Sequence, residues 1–140
     1  MHFDPALAAR TAFQRAEAEL GPDWATALEL EEVFSSSAGQ DASDAYEALL
    51  QLAERHPGAD AFQAFCIYIT WQQVTEHTIA RYFETGLRLS DRYLSSPDGK
   101  NGTDLANVQD LRESFNAGLG MDQEDELQQE FRQDIPKGGD

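Results

Sequence analysis

The residues of this chain best suited to chemistry fall in one run: Gln73, Glu76, His77, Arg81 and Glu84. On a helix advancing 100° per residue, Gln73 and Glu76 share a face with Ile69, Ala80 and Phe83. A carboxylate drawn into such a face needs a partner, or its pKa rises. His77 and Glu84, seven residues apart, border the same face, and Arg81, Arg88 and Arg92 form a basic stripe beside it. These are ingredients of an acid and base site. No nucleophile, second fixed carboxylate or oxyanion donor accompanies them, however, and a buried polar network or bridges to neighbouring helices would use the same residues. No catalytic residue is assigned, and the run stands as an alternative polar site.

Other chemistries fit less well. His2, His56 and His77 are scattered, with no Glu-x-x-His or His-Glu-x-x-His spacing, so neither a metal nor another cofactor is expected. Asp98, Asn101 and Asp104 suggest a calcium loop, but their spacing and the glycine position do not match one, and a polar turn is expected. Gly118-Leu119-Gly120 lacks the strand, third glycine and Lys-Ser of a phosphate cradle and is expected to stop a helix. Ser35 to Ser37 have no nucleophile elbow around them. Cys66 lies on an apolar face, where an inert core thiol is expected.

Charge is the more informative signal. The 140 residues carry 26 acidic and 10 basic side chains, a net charge of −16. Such a chain repels phosphates and anionic membrane surfaces, so direct nucleic-acid and membrane partners are not expected. It attracts basic proteins. The acidity is segregated: Glu17 to Asp60 contains eleven acids against Arg55, whereas residues 61–94 balance three acids with three arginines. Seven acids against Arg132 and Lys137 make a second zone from Met121 to Asp140. A single cysteine, no basic apolar leader and no long apolar run suggest a cytoplasmic protein.

The elements that must position these residues are all helical. A single-domain bundle of about six helices, spanning residues 1–135, is expected around a long central helix over 60–94, with 136–140 as a flexible tail. Asp4 and Pro5 open the first helix, whose inner stripe is Ala9, Phe13, Ala16 and Leu20, and Gly21 ends it. The second starts at Pro22 or Asp23 and reaches about Phe34. The third opens at Asp41, carries Tyr46, Leu49, Leu52 and Ala53 inward, and ends at His56-Pro57-Gly58. Asp60 and Gln63 suggest a capping box for the central helix, and Gly86 is its expected bend. Phe62, Phe65, Cys66, Ile69, Phe83 and Leu87 share one face of that helix. Tyr68, Trp71, Tyr82 and Tyr93 share a second, which could be wrapped by neighbours or offered to a second copy in a homodimer. Leu105, Val108, Leu111 and Phe115 mark a further amphipathic helix, and Leu127 and Phe131 a weaker last one.

If the second and third helices lie side by side, Glu29, Glu31, Glu32, Asp41, Asp44 and Glu47 form one acidic patch, self-repelling unless a basic partner offsets it. The leading functional expectation is therefore an acidic inhibitor, of the immunity or antidote kind, that occludes a basic site on a toxin or nucleic-acid-handling protein. A small ligand-binding protein or enzyme built on the polar run, and a dimeric assembly subunit, are the alternatives.

Overall fold

The computed structural model describes residues 4–76 and 79–119, and among them there is no strand. Helix α1 (Pro5–Leu20) is followed by a 3-10 turn (Gly21–Asp23), α2 (Trp24–Ser36), α3 (Gln40–Arg55), α4 (Asp60–Glu76) and α5 (Ala80–Leu94). A further helix, α6, covers 102–119. The last expected helix, with Leu127 and Phe131, and the tail at 136–140 lie outside the described residues.

Local chemistry sets the first boundaries. The Asp4 carboxylate accepts the amides of Ala6 and Leu7 at 3.0 and 3.2 Å, with Pro5 in the first turn, where its missing N–H costs nothing. Gly21, at φ 57°, ends α1 in a backbone region that a β-carbon disfavours. The expected stripe Ala9, Phe13, Ala16 and Leu20 is buried.

Helix α4 is the centre of the bundle, with residues 61–70 all buried. Four helices enclose it. Phe13 of α1 meets Phe65 with ring centroids 4.7 Å apart. Tyr46 of α3 shares a 2.8 Å hydrogen bond with Thr70. Arg92 of α5 donates to Gln63 at 2.6 Å, and on the α6 side Tyr68 donates to Asp104 at 2.6 Å. The buried apolar residues form a single cluster that extends from α1 to α6.

The helix expected over 60–94 is in fact two. Ile79 is extended, at φ −123° and ψ 136°, and α5 starts afresh behind it. Two β-branched pairs, Val74-Thr75 and Thr78-Ile79, weaken helix propensity there. The Thr75 hydroxyl also donates back to the Gln72 carbonyl at 2.8 Å. Folding back gains more than continuing, because it lets both apolar faces of the segment be buried within one chain. Tyr68, Tyr82 and Tyr93 are buried, and Trp71 packs edge-on against Phe115 of α6 at 5.5 Å. The face considered for a homodimer is thus covered by the chain's own helices.

Gly86 is not the bend. It lies within an uninterrupted α5, and a β-carbon there would collide with the Phe115 ring of α6. One at Gly118 would collide with Phe83 of α5. Phe83-x-x-Gly86 and Phe115-x-x-Gly118 thus interlock reciprocally across two antiparallel helices, each ring seated over the other helix's glycine. Gly118 accordingly lies within α6, while Gly120, the other residue expected to stop it, lies outside the described residues.

The capping box at Asp60 and Gln63 does not form either. The Gln63 carboxamide turns away and donates to the carbonyls of Ala53 and His56 at 2.7 and 3.0 Å, closing the end of α3. The first amides of α4 are instead taken by Glu19 of α1, whose carboxylate accepts from Ala61 and Phe62 at 3.0 and 3.1 Å. A tertiary cap has replaced the local one.

Candidate functional site

The break at Ile79 takes the expected polar run apart. Gln73 stays on α4, where it is buried. Arg81 and Glu84 are exposed on α5, and Arg81 pairs with Glu47 of α3. Arg88 reaches Glu54 of α3 at 3.7 Å. The side chains of Glu76 and His77 lie outside the described residues. Gln73 and the pair Arg81 and Glu84 therefore stand on different helices and do not share one helix face.

The six acidic residues differ in what they meet. Glu47 is committed to Arg81, and Glu31 turns toward α1 and α4, its carboxylate accepting from Ser35 at 2.8 Å. Asp44 accepts from Gln40 at 2.7 Å. Glu29, Glu32 and Asp41 are exposed, with no cation paired to them among the described residues.

The richest polar constellation was missed in the sequence. Asp104 of α6 is buried between two elements, accepting from Tyr68 of α4 at one oxygen and from Arg15 of α1 at the other. Asn107 donates to the Tyr68 hydroxyl at 3.2 Å. Nearby, the Lys100 side chain is 8% exposed, with its ammonium 3.2 Å from Asp60 and 4.8 Å from the centre of the Tyr93 ring. Burial, reinforced by the Asp104 carboxylate, pushes the Tyr68 hydroxyl well above its ordinary pKa. Asp104, Tyr68 and Lys100 are each satisfied by a neighbour, so the network holds helices together. Asn101 caps α6 through the amides of Thr103 and Asp104 at 2.9 and 3.3 Å, which accounts for the residues that suggested a calcium loop. Among the described residues no cluster of potential metal ligands occurs.

Cys66 is fully buried, its thiol directed at the Leu49 carbonyl 3.8 Å away. Burial pushes that thiol far above its ordinary pKa, which withholds the thiolate a nucleophile needs.

Two clefts flank the free end of α2. One, of about 470 Å³, is mainly apolar and runs between α1, α2 and α4 past Phe13, Trp24, Leu28 and Phe65. The other, of about 620 Å³, is polar and lies under the α2–α3 loop against the end of α4. No family model, curated protein or solved structure matches this chain. Its functional reading therefore rests on its own surface.

On that surface α2 is distinctive. Ala27 is its fully buried residue, with Trp24, Leu30 and Phe34 partly covered. Its outer side presents Leu28 and Val33, 44% and 40% exposed, interleaved with Glu29 and Glu32. Leu28 with Glu32, and Glu29 with Val33, are each one helical turn apart, so apolar and acidic groups alternate over one strip. Among the described residues no helix is long and apolar enough to cross a membrane.

Proposed function

We propose that this protein is a binding module, without catalytic activity of its own, that inhibits a basic protein partner in the manner of an immunity or antidote protein. The observation that carries this reading is the outer strip of α2, where two exposed aliphatic side chains alternate with two carboxylates that have no cation among the described residues. Glu47, Glu54 and Asp91, by contrast, are each answered by an arginine from a neighbouring helix. A partner's lysines or arginines would fill that role on α2, while Leu28 and Val33 supply apolar anchors that exclude water from the contact. Asp41, at the start of α3, extends the acidic zone. The whole-chain charge would speed encounter with such a partner, and the mechanism would be occlusion of its basic site.

The test is capture from cells of the source organism with wild-type protein and with the E29K/E32K double variant. The expected result is one basic partner, retained by wild type, released by high salt and lost by the variant, together with inhibition of that partner's activity in a purified mixture. A neutral or acidic partner, or a basic one that E29K/E32K still holds, would overturn the reading.

A further inference from the structure

The polar cleft under the α2–α3 loop has a composition at odds with the rest of the molecule. In a chain of net charge −16, none of the described side chains that line it is ionised at neutral pH. It is furnished by the carboxamides of Gln72 and Gln73 and the hydroxyls of Ser35, Ser37, Ser43 and Thr75, with Phe34 and Tyr82 also lining it.

Gln73 is the residue that points to a ligand. It is 6% exposed, yet its carboxamide makes no hydrogen bond to any described residue. Among the described residues the sealed side-chain polar atom without a partner is the Ser90 hydroxyl, so the Gln73 amide is not sealed in the core. It meets solvent through the cleft that it lines. A carboxamide brings one acceptor and two donor hydrogens, and a second carboxamide and the hydroxyls of four serines and threonines stand around the same space. Burying a glutamine this far, with its amide left to water, costs stability that leucine would not.

We infer that this cleft is a binding site for an uncharged, polyhydroxylated small molecule of sugar type. Its volume falls in the range of small-ligand pockets. A charged ligand would lose its hydration here without meeting an opposite charge among the described side chains. A neutral sugar supplies donors and acceptors to match carboxamides and hydroxyls, and its C–H faces can lie against the aromatic walls. The site is separate from the α2 strip and does not depend on it.

The test is titration of isotopically labelled protein with glucose and N-acetylglucosamine, following the Gln72 and Gln73 side-chain amides and the Gly39 backbone amide by NMR. Glucuronate and glucosamine serve as charged counterparts. The expected result is saturable, localised shifts with the neutral sugars, and at least about tenfold weaker binding of the charged ones. Q73L should weaken neutral-sugar binding by a similar factor; S43A, at the rim, provides a second reading should Q73L fail to fold. Absence of saturation with both neutral sugars, equal binding of the charged ones, or unchanged affinity in both variants would overturn the site. E29K/E32K lies outside the cleft and should leave the titration unaltered, so the two proposals fail independently.

Discussion

Tyr68 illustrates how much a single side chain decides in this bundle. Its hydroxyl donates to buried Asp104, which also holds Arg15, so one carboxylate joins α1, α4 and α6. Tyr68→Phe keeps the ring and removes the proton donor, leaving one carboxylate oxygen under-satisfied in the core. The expected loss is about 1–3 kcal/mol, read as a lower urea midpoint with an unchanged slope. Stability equal to wild type would show that Arg15 satisfies the carboxylate unaided. None of this was legible along the chain, because the partners are 36 and 89 residues apart. The same holds for Glu19 as the cap of α4, which lies 42 and 43 residues from the amides it accepts. Asp4 was legible because its amides are two and three residues away.

At the scale of elements, the interlocked phenylalanines and glycines of α5 and α6 set the distance between two helices. Propensity alone says that Gly86→Ala in a helix interior should stabilise by about 1 kcal/mol. The Phe115 ring occupies the space of the new methyl group, and overpacking of this kind costs about 1–3 kcal/mol. We expect a net loss for Gly86→Ala and for Gly118→Ala, measured as a lower Tm. Gly102→Ala, where no atom comes within 4 Å, should be neutral or stabilising. A gain at all three positions would mean that α5 and α6 separate easily. Period and capping revealed that these segments are helices, but not that glycine serves as a seat, since that depends on which ring arrives from across the interface.

For the molecule as a whole, self-repulsion and buried hydroxyls set the response to solvent. With 26 acids against 10 bases, screening should stabilise the fold, so Tm should rise between low and moderate sodium chloride. A flat or falling Tm would show that the ion pairs outweigh the excess charge. At alkaline pH the opposite trend is expected. Burial raises the pKa of Tyr46, Tyr68, Tyr93 and Cys66 in the folded state. The folded chain therefore keeps these protons after the unfolded chain has released them. The stability they confer is complete below about pH 8.5 for the thiol and about pH 10 for the tyrosines, and is lost as pH rises above those values. Circular dichroism melts from pH 7 to 11 should show Tm falling with the steepest loss above about pH 10. A constant Tm across that range would contradict the burial of these groups.

The sequence by itself determined the helical class, most helix limits, the inward stripes of α1 and α3 and the inert Cys66, because these depend on periodicity, capping and burial tendencies within a few residues. It also located the segregated charge. Tertiary structure decided that the central segment folds back at Ile79, that Gln73 and Arg81 therefore sit on different helices, that Glu47 is taken by Arg81, and that Gln73 lines a cleft whose described side chains carry no charge. The physical reason is that a helix wheel assumes continuity. Once a segment breaks, the neighbours of each side chain are chosen by the burial of two apolar faces in one core.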